Sequence, residues 1–322
     1  MATQHIEETD QPRKYLFCAS TGGHITELMR LSERMNVRED SLWVTFDDEQ
    51  TRTVLEGRRH EFVPFVSQRD WRGTMRVIPH IRRILRRETF DHAASNGAAI
   101  AAAVLPMARM HGVPATYVET IGRLDGPSMT GRLLQRAPGV ELRTQHESWA
   151  HGRWQAYPSV LETFVGVRKP TVARPRMFVT LGTMTYRFDS LVDAILATGL
   201  ADESTVWQVG GTMRDDLPGT VQAAMGPDEW VDAVSSADVV VSHCGVGSLY
   251  QYLELGKLPV MGIRRAARNE HVDDHQIEIG RYAAERGLAI VTEAPDLTAE
   301  HIRDASGWRV LDSADPGIRA AS

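Results

Sequence analysis

Chemistry in this chain could gather at three places. The first is Ser20-Thr21-Gly22-Gly23-His24. The second is Ser242-His243-Cys244-Gly245-Val246-Gly247-Ser248, with Glu254 further along the same stretch. The third is His271-Val272-Asp273-Asp274-His275-Gln276. Gly245 to Ser248 follows the apolar run Val239-Val240-Val241 and precedes a helical pattern. A strand, a glycine turn and a helix start together form an anion site, because free N–H groups and the helix dipole attract a phosphate. Glu254 could accept from both hydroxyls of a ribose, or it is a solvent-facing helix residue. His24 is either a helix-start residue bonded to backbone or a functional imidazole. Asp274, His275 and Gln276, at a helix start, suit sugar hydroxyls. His271 and His275 have metal-ligand spacing if helical, but no third ligand of clear geometry accompanies them, so no metal site is expected. Adjacent strand residues point to opposite faces, so His243 and Cys244 do not make a thiol–imidazole pair.

The elements that must hold these residues alternate. Tyr15 to Ala19 reads as a buried strand, and strand and helix patterns follow in turn to Glu119. After a looser stretch rich in proline, alternation restarts at Met177 and runs to Ala305. Such alternation implies α/β architecture with two doubly wound, Rossmann-like domains. Ligands bind such sheets at the carboxyl ends of their strands. That places Gly22, Gly23, His24, Asn96 and Glu119 at the expected crevice of the first domain, and Gly182, Thr183 and Gly245 to Ser248 at that of the second. The boundaries read as a tail over 1–14, a first domain over 15–166, a second over 167–310 and a tail over 311–322.

The formal net charge is -6 with 42% hydrophobic residues, which argues against general nucleic-acid binding and for a folded globular chain. The two cysteines, Cys18 and Cys244, are too few for a disulfide framework and suit a reducing cytosol. No apolar run reaches the roughly 18 residues of a membrane span. Arg76, Arg82, Arg83, Arg86 and Arg87 are interleaved with Val77, Ile78, Ile81, Ile84 and Leu85. That pattern is a helix with one buried face, and its cationic side is either ordinary solvated surface or a place for anionic lipid.

The second half, through VTLGTMTYRFDSLVDAI, ADVVVSHCGVGSLYQYLELGKLPVMGI and DDHQIEIGRYAAERG, resembles the GT-B glycosyltransferases of the MurG and Alg13–Alg14 group. The first half, through CASTGGHITELMRL and YVETIGRLDGPSMTGRLL, resembles the Alg14-type acceptor half. The resemblance spans most of residues 15 to 292, with the acceptor half first. It implies GT-B architecture and an inverting, metal-independent transfer of a hexose-type sugar. The donor would be a UDP-sugar as co-substrate, with no other cofactor. The acceptor would be a polyprenyl-diphosphate-linked saccharide, in cell-surface polysaccharide (exopolysaccharide) synthesis. It further implies that Gly182, Thr183, His243, Gly245, Val246, Gly247 and Ser248 face the donor diphosphate, that Glu254 holds ribose, and that Asp274, His275 and Gln276 contact the sugar. Thr21, Gly22, Gly23 and Asn96 form the acceptor-side loop. His24 is the first candidate for the base and Glu119 the second. Localisation would be cytoplasmic, peripheral at the inner membrane face through the Arg76–Arg87 helix.

Cys244 stands where the group usually has a small residue. Arg264, Arg265 and Arg268 make the following loop more basic; they could pair with an acidic sugar, although surface arginines are the commoner explanation. Alternatives are a soluble tailoring glycosyltransferase on a small natural product, a UDP-sugar 2-epimerase, and a non-catalytic nucleotide-sugar-binding subunit.

Overall fold

The computed structural model describes residues 11–66, 70–182, 185–272, 274 and 276–313. The chain divides into two compact units, Met1–Val160 and Leu161–Ser322. This division falls a few residues ahead of the expected boundary at 166/167.

The first unit contains β1 (Tyr15–Ala19), α1 (Gly23–Ser32), β2 (Leu42–Thr45), α2 (Glu49–Val54), β3 (His60–Phe62), α3 (Trp71–Arg87) and β4 (His92–Gly97). It continues with α4 (Ile100–Met110), β5 (Ala115–Glu119), α5 (Met129–Leu134), β6 (Val140–Thr144) and β7 (Trp154–Ala156). Its seven strands form one sheet in the order β3-β2-β1-β4-β5-β6-β7, and the paired strands run parallel. Alternate residues of β1 serve opposite faces, as period 2 requires. Leu16 and Cys18 pack with Val77, Ile81 and Ile84 of α3 and with α4. Tyr15, Phe17 and Ala19 pack with Ile25 and Leu28 of α1. Helix starts are set by short polar side chains: Asp48 Oδ1 accepts from Thr51 N, Asp70 Oδ1 from Gly73 N, and Ser128 Oγ from Gly131 N.

The second unit contains β8 (Phe164–Arg168), β9 (Met177–Thr180), α6 (Asp189–Ala197), β10 (Val206–Gln208), β11 (Thr220–Gln222), α7 (Pro227–Ser236) and β12 (Val239–His243). There follow α8 (Val246–Glu254), β13 (Val260–Ile263), α9 (Gln276–Glu285), β14 (Ile290–Glu293), α10 (Ala299–Ser306) and β15 (Trp308–Asp312). Its main sheet has the order β11-β10-β9-β12-β13-β14 and is again parallel. The order therefore reverses between β1 and β4 in the first sheet and between β9 and β12 in the second. A connection that winds one way leaves its neighbour winding the other way at that point, so a crevice opens beyond the strand ends.

Two expected loose segments are ordered at their margins. Arg13, inside the expected 1–14 tail, bridges Val37. β8, inside the proline-rich stretch, pairs antiparallel with β15 from Phe164 to Arg168, so regular structure extends to Asp312 and into the expected 311–322 tail. Neither strand alternates apolar and polar residues, and they find each other only across the length of the unit.

Candidate functional site

In the second unit the reversal point is built from β9, β12 and the start of α8. Gly245 is the N-cap of α8, with an extended backbone and no side-chain cap. The first intrahelical bond runs from Leu249 N to Gly245 O, which leaves the N–H groups of Val246, Gly247 and Ser248 at the open end of the helix. A Cβ at Gly247 would meet nothing within 4 Å, so open space lies before this helix end. His243 ends β12, and its imidazole occupies the reversal point. A Cβ on Gly182 would come within 2.8 Å of its Cε1, and one on Gly245 within 2.6 Å of its Nε2. Gly182 also has φ 77°, a conformation that disfavours side chains. Both glycines thus make room for His243. Ser242 Oγ lies 3.4 Å from His243 Nδ1 and accepts from Tyr252 OH at 2.8 Å.

Glu254 is the last residue of α8 and is exposed, with Tyr250 OH donating to it at 2.6 Å. At about 1.5 Å rise per residue, its Cα is roughly 9 Å beyond that of Ser248 along the axis. Gln251, exposed and one turn beyond Ser248, stands nearer the helix start. No sequence signal singled out Gln251, because glutamine is common on solvated helix faces.

The segment after β13 differs from expectation. Arg264 is fully buried and donates to the carbonyls of Leu181 (2.7 Å), Tyr186 (3.1 Å), Arg187 (3.4 Å) and Glu270 (3.0 Å). It lies over the Phe188 ring at 4.3 Å, and burial holds its pKa down to about 10. Arg265 bonds Glu293 at 3.1 Å. Arg268 bonds Glu270 (2.9 Å), Glu293 (3.1 Å) and the Ile263 carbonyl (2.8 Å). Arg264 is therefore neither a surface arginine nor free to meet an acidic sugar: it joins the loop after β13 to the loop after β9, while Arg265 and Arg268 tie the loop after β13 to Glu293 of β14. Asp274 Oδ1 accepts from Ala266 N at 2.9 Å, and buried Gln276 accepts from Arg264 N at 3.3 Å, so both also shape this loop. Cys244 is buried under Gly280, where burial raises its thiol pKa, so its side chain faces the core and not the open end of α8. Thr183 and His275 lie outside the described residues. Among the described residues no group of three or more His, Cys, Asp or Glu could hold a metal ion.

In the first unit Gly22 has φ 76° and caps α1 without a side-chain bond, so Thr21, Gly22 and Gly23 bring an open helix start to the end of β1. His24 lies close against the end of β4: a Cβ on Gly97 would sit 3.3 Å from its Cε1. Burial pushes its pKa below the ordinary 6.5, opposed by the Asn96 backbone. Its Nδ1 is buried without a hydrogen-bond partner, as are both amide atoms of Asn96. Ser20 joins the two strand ends, its N–H donating to Gly97 O at 2.9 Å and its Oγ accepting from Ala98 N at 3.0 Å. Glu119 is interior. It accepts from Tyr117 OH (2.9 Å), Ser128 N (2.8 Å) and Thr120 N (3.3 Å), and burial raises its pKa. Its carboxylate closes the loop between β5 and α5 on itself, whereas His24 stands at the reversal point.

No protein-family model matches the chain. A curated relative is 23% identical over 95% of this chain and 90% of its own length. It is the UDP-N-acetylglucosamine–N-acetylmuramyl-(pentapeptide) pyrophosphoryl-undecaprenol N-acetylglucosamine transferase of Synechococcus sp. (strain CC9311). Among solved structures, MurG of Acinetobacter baumannii matches with a TM-score of 0.55 at 15% identity, over 90% of this chain and 89% of that one. The chain has the GT-B fold and is similar, at low identity, to these transferases over nearly its whole length. The glycosyltransferase SnogD of Streptomyces nogalater shares the GT-B fold as well, with a TM-score of 0.57 at 18% identity over 97% and 93% of the two chains. Within this GT-B frame, the reversal points of both sheets carry a histidine set against glycine.

Proposed function

We propose that this chain transfers a hexose-type sugar, with inversion, from a UDP-sugar to a polyprenyl-diphosphate-linked saccharide, and that it does so without a metal ion. The observation that carries the reading is the open start of α8 at the β9/β12 reversal point, with Gly182 and Gly245 holding His243 beside it. Uncapped N–H groups and the helix dipole there suit a leaving diphosphate, whose charge grows as the bond to the anomeric carbon breaks. In this reading the diphosphate bears on Gly245 to Ser248, Gly182, Thr183 and His243. Gln251 or Glu254 faces the ribose, and Asp274, His275 and Gln276 border the sugar.

His24 is the proposed base. Its buried Nδ1 leaves Nε2 to take the acceptor hydroxyl proton as that oxygen bonds to the anomeric carbon and UDP departs. A lowered pKa keeps the imidazole neutral near pH 7, as a base requires. Thr21, Gly22, Gly23 and Asn96 border the acceptor.

The lipid-linked acceptor is supported by α3. Val77, Ile81 and Ile84 face the core, while Arg82, Arg83, Arg86, Arg87 and Pro79 line an open groove. Arg87 pairs with Glu61 and Glu88. Arg82, Arg83 and Arg86 are exposed and make no ion pair among the described residues. Phe65 and Met75 add exposed apolar surface, 67% and 56% exposed. Cationic and apolar side chains together suit an anionic membrane surface, which would place the protein at the inner face of the cell membrane. No described helix is long and apolar enough to cross a membrane.

The test joins two measurements. A thermal-shift panel of nucleotide sugars identifies the donor, since binding raises Tm by mass action. Co-sedimentation with phosphatidylglycerol vesicles at low salt reads the surface of α3. A soluble tailoring enzyme would show the first signal without the second. Turnover of a UDP-sugar with no acceptor present would mark an epimerase instead.

A further inference from the structure

The residue that faces the interior one turn beyond His24 on α1 is a glutamate, where an apolar residue would pack at lower cost. Glu27 is 6% exposed, and Leu31, one turn further on the same side of the helix, is wholly buried. Burying a carboxyl group is unfavourable unless its oxygens find donors. Here they do. Oε2 accepts from Thr120 Oγ1 at 2.7 Å, and Oε1 from Ile121 N at 2.9 Å and Gln145 Nε2 at 2.5 Å. Gln145 also donates to Glu119 O at 3.1 Å, and its Oε1 accepts from Val160 N at 2.8 Å. One side chain on the histidine-bearing helix thus ties together the ends of β5 and β6.

Apolar contacts resist separation of a helix from its sheet but do little against rotation or sliding. Three directional bonds to one carboxylate resist both. His24 and Glu27 lie at i and i+3, so a rotation that moved Glu27 would move the imidazole as well. The imidazole has little room on the side of Gly97, where a Cβ would stand 3.3 Å from it. We propose that Glu27 is a positioning residue: through Thr120, Ile121 and Gln145 it fixes the rotation of α1 and so sets the His24 imidazole at the β1/β4 reversal point. The proposal extends the reading of His24 as the base. Glu27 touches neither donor nor acceptor.

The full-length chain with 15N-labelled histidine tests this without any ligand. The His24 imidazole signals are those lost in His24→Ala. Glu27→Ala removes the acceptors and should shift and broaden the His24 signals. Thr120→Val removes one bond and should cause a smaller displacement. Glu27→Gln keeps a carbonyl for Ile121 and Gln145 and an amide toward the Thr120 hydroxyl, so it should leave the signals in place. Unmoved His24 signals in folded Glu27→Ala would overturn the proposal. If that variant does not fold, unmoved signals in Thr120→Val would do so.

Turnover separates the two claims. Misplacing a reacting group by about an ångström costs up to roughly 100-fold, so Glu27→Ala should lower kcat by about 10- to 100-fold with the donor KM little changed. In a His24→Ala background the same change should cost nothing further, and a full additional loss there would show that Glu27 does not act through His24. Wild-type turnover by His24→Ala would end the base assignment, with the imidazole spectrum still deciding the positioning role.

Discussion

Both units reverse their strand order beside an imidazole that rests against glycine, but they bring the parts from opposite strands. In the first, His24 follows β1 and Gly97 ends β4. In the second, His243 ends β12, the counterpart of β4, and Gly182 follows β9, the counterpart of β1. The surroundings differ as well. Both histidines are half-buried, but His24 sits beside a fully buried Asn96 and has a lowered pKa, whereas His243 stands at the uncapped start of α8. One fold with one strand order therefore supports two environments: an imidazole of lowered pKa suited to accepting a proton, and an electropositive backbone end suited to binding an anion. Strand order places the crevice, and the residues within it assign the chemistry.

The comparison breaks most sharply at the two histidines. His24→Ala should lower kcat by about 100- to 10,000-fold, the usual contribution of a general base, with the donor Kd unchanged. His243→Ala should instead weaken donor binding, measured by isothermal titration with the nucleotide sugar from the thermal-shift panel. The opposite pattern would exchange the roles of the two units.

Arg264 supports only the second unit, and the first has no fully buried arginine among the described residues. Arg264→Ala leaves its carbonyl partners unsatisfied and should cost on the order of 3 kcal/mol in urea unfolding. Arg264→Lys should recover only part, since an ammonium cannot span the same carbonyls. A near-neutral alanine variant would show that the loops on either side of Gly182 hold without it.

The glycines give a smaller effect. Gly182→Ala forces a side chain into positive φ and against His243, and should cost about 1–2 kcal/mol. Pairing it with His243→Ala should return the part due to the clash and leave the part due to φ. Loss unchanged by the second substitution would mean that the imidazole does not set the requirement for glycine.

The smallest effect is a matter of pH. His24 acts as a base only when unprotonated, and its pKa lies below 6.5. The acid limb of kcat/KM should therefore fall below pH 6.5, with activity sustained down to it, and should vanish in His24→Ala. A limb centred above 6.5 would point to another group. In unit two, Gln251→Ala should raise the donor KM more than Glu254→Ala, by a few-fold, if the nearer turn holds the ribose.

Local pattern along the chain is enough to set the alternation of strands and helices, the two sheets, and the strand–glycine–helix units at Gly22 to His24 and Gly245 to Ser248. These follow from local pattern: period-2 and period-3.6 burial and glycine at strand ends. Tertiary structure alone decided the rest. The β8–β15 pair joins strands from opposite ends of the second unit, and neither carries a period of its own. Arg264, Arg265 and Arg268 read as a basic loop because their partners, from Leu181 to Glu293, lie far away in the chain. Nothing local tells that Cys244, in the glycine turn, turns its side chain under Gly280 and away from the open end of α8. Glu27 looked like any surface helix residue, since its bonds to Thr120, Ile121 and Gln145 span more than ninety positions. Local pattern records which face a residue prefers, but a buried polar group is defined by partners that only the folded chain brings within hydrogen-bonding distance.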